Sequence, residues 1–240
     1  ADLDPDNKRF QFQKHEIRFY RTGDLSSYAE FLKQRDEIAW QSDPDSPHSR
    51  PVKSRLDLLP FRIALSKGQF SEALTWLQSA NFDPEIPAYE KHHASATAHW
   101  LAGDKEKAKQ EAERAIDAGD WYLESNGGVI RMLAREHARL ALNYAILGDQ
   151  ENTEHHQTMA MEVLKGTRGE YMRRDSTTRH LLPSYLVSGE TEKAFELLDE
   201  LLSRPGDVHA QQIRIDPFME MRISKPSWPK PPRLKNEQGE

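Results

Sequence analysis

Along most of the chain apolar residues recur in steps of three and four, the period of a helix with one buried face. Ile130, Leu133, His137, Leu140, Ala141, Tyr144 and Leu147 form one such stripe. Phe70, Ala73, Leu74 and Leu77 form a second, and Ala194, Leu197, Leu198 and Leu201 a third. No segment alternates as a convincing strand would. Between successive stripes stands a glycine, and five segments align on it: "RFYRTGDLSSYAEFLKQ" at Gly23, "RIALSKGQFSEALTWLQ" at Gly68, "TAHWLAGDKEKAKQEAERA" at Gly103, "LALNYAILGDQENTEHHQTMA" at Gly148 and "PSYLVSGETEKAFELLDELL" at Gly189. The glycines are 45, 35, 45 and 41 residues apart, the length range of a two-helix repeat.

Each unit predicts a first helix, a glycine able to take positive φ as its terminator, and a second helix. Asp24, Asp104 and Asp149 directly follow three of the glycines, where a carboxylate caps the next helix. Ser27 and Glu30 have capping-box spacing. Asp83-Pro84 and Arg204-Pro205-Gly206 close second helices. A helix pair of this size cannot bury its apolar face alone, and stacking the pairs into a solenoid solves that.

Two prolines fall in first helices. Pro183 predicts a kink, whereas Pro60 fits a helix that starts late with proline in its first turn. Two stretches predict loops: Ser42 to Pro51, with three prolines, and Ala118 to Gly128, carrying Trp121 and Tyr122.

This pattern resembles the tetratricopeptide repeat. Leu140, Ala141, Tyr144 and Gly148 stand where that family places Leu, a small residue, an aromatic and Gly. Leu181, Tyr185, Gly189 and Ala194 match in the fifth unit, Gly68, Ala73, Ala80 and Pro84 in the second, and Ala96, Gly103, Ala108 and Ala115 in the third. The first unit keeps Phe19 and Gly23 but has Tyr28 where Ala is usual. The resemblance implies an all-α, right-handed superhelical solenoid of about five helix pairs over residues 7–206, with a capping segment over 207–228.

The ends add expectations. Leu3-Asp4-Pro5 resembles the close of a preceding repeat, so residues 1–6 predict a piece of a longer protein; a plain turn is the competing reading. "RIDPFMEMRISKPSW" resembles a closing signature found after such repeats in bacterial multidomain regulators, carried by Asp216, Pro217, Phe218, Arg222, Pro226 and Trp228. Ile213, Ile215, Phe218 and Trp228 would cap the last repeat. The Pro-rich, polar end over 229–240 predicts an extended or disordered tail.

Composition narrows the function. The 240 residues are 37% hydrophobic and 30% charged, a balance that suits an elongated, surface-rich protein. A net charge of −6 gives nucleic-acid binding no support. Without cysteine there is no disulfide, thiolate zinc site or thiol nucleophile. No run of 18 apolar residues predicts a membrane span, and the acidic opening "ADLDPDNKRF" is unlike a signal peptide. Neither GxxxxGK, GxGxxG, GxSxG nor HExxH occurs. His92-His93 and His155-His156 are adjacent pairs pointing about 100° apart on a helix. His92 and His99 can share a face, and His137 reads as a hydrogen-bonded core residue. No catalytic residue, metal or cofactor is expected.

Surface recognition remains. In the family it resembles, first helices line a concave groove. Carried over unit by unit, the groove positions are Phe10, Gln13, Ile17 and Tyr20; Arg55, Leu58, Arg62 and Leu65; Glu90, His93, Thr97 and Trp100; Arg135, Ala138, Arg139 and Leu142; and Ser176, Arg179 and Leu186. Arg55, Arg62, Arg135, Arg139 and Arg179 would make a basic stripe that binds carboxylates, with Tyr20, His93 and Trp100 beside it. The Lys and Asn residues of the family's carboxylate clamp are missing. The competing reading pairs these arginines with Glu and Asp on adjacent helices.

The leading expectation is a protein-interaction scaffold for an acidic peptide segment or partner protein. It would be the sensory or docking part of a bacterial signalling or transcription-regulatory protein, cytoplasmic, or periplasmic if its parent is membrane-anchored. A homodimerisation module, through the solenoid ends or Trp121, is the alternative. A helical-repeat enzyme with a site at His92, His93 or His99 stands third.

Overall fold

A computed structural model describes residues 58–79, 87–126, 130–166 and 181–202, together with Arg18 and Phe218. All regular structure among these residues is helical, in eight helices with no strand. They are α1 (Leu59–Ser66), α2 (Phe70–Ser79), α3 (Pro87–Leu101), α4 (Lys105–Asn126), α5 (Ile130–Leu147), α6 (Gln150–Gly166), α7 (181–188) and α8 (Thr191–Leu202). Apart from Arg18, the first unit at Gly23, the loop over 42–51 and the other residues before Leu58 lie outside the described residues, as does the tail over 229–240.

Four glycines make the same turn four times. Gly68, Gly103, Gly148 and Gly189 have φ of 68°, 83°, 83° and 88°, a region closed to most side chains. In each turn the amide after the glycine reaches back five residues: Gln69 to Ala64, Asp104 to His99, Asp149 to Tyr144 and Glu190 to Tyr185, at 2.9–3.0 Å. This Schellman geometry satisfies the last carbonyls of the first helix. The second helix begins two residues after every glycine.

Side chains then secure that start. Asp149 Oδ1 accepts the Asn152 amide at 3.1 Å, and Asp104 Oδ1 accepts that of Lys107 at 3.4 Å. Five residues past each glycine stands a fully packed small side chain: Ala73, Ala108, Thr153 and Ala194, none more than 1% exposed. Thr153 fits there because its hydroxyl donates to the Asp149 carbonyl at 2.6 Å.

Proline and glycine elsewhere act as their surroundings dictate. Pro60 sits in the first turn of α1, where a missing N–H costs nothing. The backbone is helical on both sides of Pro183, and residues 167–180 are not described. The loop expected from Ala118 to Gly128 is corrected: α4 stays helical to Asn126. Gly119 is a packing residue inside it, since a Cβ there would stand 2.7 Å from the Tyr89 ring and 3.0 Å from Leu140.

Helices pack with their chain neighbours from α1 to α6, and α3 also touches α5 directly, past the intervening α4. Gln157 of α6 donates to Ser184 of α7 at 3.3 Å. One apolar cluster unites Ala96, Ala112, Ala138, Leu142, Leu181, Leu186, Leu198 and Phe218. A second joins α1 and α2 through Phe61, Ala73 and Leu77, and reaches Ala98 of α3. Tyr89, Ala115, Ile116 and Leu140 make a third.

Candidate interaction face

The face shared by α3 and α5 is built from helical spacing on both sides. Glu90, His93, Thr97 and Trp100 follow one another on α3, and Arg135, Glu136, Arg139 and Asn143 do so on α5. Because the two helices touch, the rows meet. Arg139 bridges them: its Nη1 donates to Glu136 Oε1 at 3.1 Å and its Nη2 to Glu90 Oε1 at 3.1 Å. Arg135 Nε donates to Glu136 Oε1, also at 3.1 Å. His93 Nδ1 meets Asn143 Oδ1 at 3.1 Å, and the Thr97 hydroxyl donates to the His93 carbonyl.

Burial makes these pairings consequential. Glu136 is 1% exposed, and the side chain of Arg139 is 11% exposed. Taking Arg139 from water works against its charge, but Glu136 and Glu90 hold the guanidinium protonated more firmly than usual. Burial alone would raise the Glu90 carboxyl; Arg139, Arg135 and Arg62 pull it below its ordinary value instead. Burial, then Arg139, lowers His93 to about 4, so the ring is neutral near pH 7. Tyr89 is pushed well up by burial and then by Glu136. Arg139 Nε and Asn143 Nδ2 are buried without a hydrogen-bond partner among the described residues.

The residues expected to bind a partner therefore have different surroundings. Arg139 lies between two carboxylates, the pairing that the sequence left as its competing reading. Arg135 is tied through Nε and its side chain remains 35% exposed. Arg62 is exposed on α1 and acts on Glu90 through space. His93 is half-buried, with its Nδ1 against Asn143. Trp100 is half-buried, with the Lys105 ammonium 3.9 Å from its ring centroid and the Phe218 ring stacked 5.7 Å away. Tyr20, Arg55 and Arg179 lie outside the described residues. The sequence missed Glu136 and Asn143 as members of this face. The signal was there: Glu136 precedes Arg139 by three and Asn143 follows it by four, the spacing of neighbours on one helical face.

The histidines split between two other places. His92 and His99 line a cleft with Leu74, Leu77, Ser95 and Glu111. His92 Nδ1 stands 2.7 Å from Glu111 Oε2, and His99 Nδ1 is 3.5 Å from Asp104 Oδ2. His137 and His156 face each other, Nδ1 to Nδ1 at 2.9 Å, and Tyr144 stacks on His156 at 5.2 Å. Burial, then the neighbouring histidines, lowers His156 to about 4, and His137 is lowered as well. Among the described residues no group of three or more His, Asp or Glu is arranged to hold a metal, and no helix is long and apolar enough to cross a membrane. No protein-family model matches the chain, and no curated protein shows significant similarity to it.

Proposed function

We propose that the chain is a non-catalytic interaction scaffold in which stacked helix pairs, arranged as a tetratricopeptide-like solenoid, present their first helices to a peptide segment of a partner protein. The observation that carries this reading is the charged lattice across α3 and α5. Arg139, Glu90 and Glu136 are locked to one another, which leaves Arg62 and Arg135 as the more exposed cations at its edge. The locked Arg139, Glu90 and Glu136 form a fixed base beside these two cations, and arginine suits carboxylates. The favoured ligand is an acidic peptide segment, and the favoured setting is the docking region of a larger regulatory protein.

Arg62→Glu combined with Arg135→Gln tests this, because Arg62 is exposed and a glutamine at 135 loses the charge while keeping a donor for Glu136. Acidic peptides selected from a random display on the unaltered chain should bind the double variant about tenfold more weakly or worse, with its melting curve unchanged. Equal binding by both proteins would remove the reading.

A second reading has one observation behind it. Trp121 is 64% exposed on α4, the large apolar side chain the described surface leaves open. Self-association through it predicts a mass that rises with concentration and falls back in Trp121→Asp; a constant mass would sink it.

A further inference from the structure

The Gly148 turn joins α5 to α6, and the two helices pack against each other. His137 precedes that glycine by 11 residues and His156 follows it by 8, so both stand two to three turns from the bend and meet across the helix pair. Their Nδ1 atoms are 2.9 Å apart and their ring centroids 5.1 Å apart. At that separation one nitrogen carries a hydrogen and the other presents its lone pair. His155 adds a third ring, edge-on to His156 at 5.1 Å. His155 is exposed and His137 is half-buried, so the pair borders solvent.

The other described histidines are arranged differently. His92 and His99 are seven residues apart on α3, about 10 Å along its axis, and each faces a carboxylate. His93 meets Asn143. For His137 and His156 the hydrogen-bonding partner of each ring, among the described residues, is the other ring. Nothing in the local spacing of His155 and His156 points to this pairing, since His137 lies 19 residues from His156.

Two nitrogens that bind one ion at about 2.0–2.1 Å stand about 2.9 Å apart when their bonds meet at right angles, and about 3.3–3.4 Å apart in a tetrahedron. The spacing between these rings is the right-angled one. Imidazole suits copper and nickel, whose divalent ions favour square or tetragonal surroundings. We propose that His137 and His156 form a chelating site for Cu2+ or Ni2+, with Nδ1 of each ring on the ion and water in the remaining positions. A turn of each ring about its Cβ–Cγ bond brings the two lone pairs onto one point beside the line between them. The hydrogen held between the rings passes through solvent to Nε2 of the ring that carried it. Both ligands are then neutral imidazoles, and the exchange releases no proton. The ion ties α5 to α6, and a ligand of the folded state alone adds to its stability.

The test is a Cu2+ titration of the full chain, stripped of metal by chelator and dialysis, at pH 7.5 in a non-coordinating buffer. Calorimetry should show one tightest site, which His137→Gln weakens about tenfold or more and His92→Gln leaves as it was. Electron paramagnetic resonance of the 1:1 complex should be axial, with coupling to imidazole nitrogen. Equal binding by His137→Gln and the unaltered chain would mean an adventitious ion only, and overturns the proposal, as does the absence of binding. Circular dichroism checks that the variant is folded. Should it not be, proton NMR of the unaltered chain decides: substoichiometric Cu2+ should broaden the ring signals of His137 and His156 before those of other histidines, and the reverse order overturns the site.

Discussion

Glu136 illustrates how one buried side chain can be structural and still shape a binding face. It accepts from both Arg135 and Arg139 and is almost wholly enclosed. Glu136→Ala would leave the Arg139 guanidinium buried with Glu90 as its remaining partner, and breaking such a pair costs about 3–5 kcal/mol. Urea unfolding should show a loss of that size; a variant as stable as the parent would mean that Arg139 escapes to solvent. The histidines supply a second prediction. His93 and His156, each lowered to about 4, are neutral in the fold and regain an ordinary affinity for protons, near 6.5, when unfolded. Their contribution is complete above pH 6.5 and is lost as pH falls from 6.5 towards 4. By pH 5 the loss is on the order of 1–2 kcal/mol per ring. The melting temperature should drop between pH 7 and 5, and His156→Phe should flatten the slope; a level profile in the parent would contradict the burial of these rings.

At the scale of elements, two kinds of glycine separate. Gly148 has open space around its missing Cβ, so its constraint is the backbone: φ is 83°. Gly148→Val should cost about 1–3 kcal/mol through strain alone. Gly119 has the reverse character, an ordinary helical backbone with Tyr89 2.7 Å and Leu140 3.0 Å from where a Cβ would be. Gly119→Ala should cost about 1–3 kcal/mol through crowding where α3, α4 and α5 meet. Chemical denaturation of the two variants checks both, and a Gly119→Ala protein of parental stability would show that this approach is looser than described.

Across the whole molecule, α5 is the centre. Leu140 serves the cluster with Tyr89 and Ile116, while Ala134, Ala138, Leu142 and Ile146 serve the large cluster that extends to α8 and Phe218. The α1–α2 pair is held by a smaller cluster that reaches α3 through Ala98. Local stability follows packing, so amide hydrogen exchange should be slowest in α5 and faster in α1 and α2. Equal rates in both would mean that the clusters unfold as one.

The sequence by itself determined the helix–glycine–helix grammar, because a helix stop at Gly68, Gly103, Gly148 and Gly189 depends on local backbone freedom and the apolar period on either side. It also determined the late start at Pro60 and the carboxylate caps at Asp104 and Asp149, which are contacts within a few residues. Only the tertiary structure decided the rest. Gly119 reads as a breaker in one dimension and becomes a packing residue once Tyr89 and Leu140 press on it. The single stripe on α5 understated a helix buried on several faces, since its neighbours lie outside the local pattern. The basic row carried over to the first helices is legible as arginines, but which of them stay near solvent depends on Glu90, 49 residues from Arg139 in the chain. Long-range pairings of that kind carry no period, and so neither Arg139's burial nor the Phe218 contact with Trp100 could be read from sequence alone.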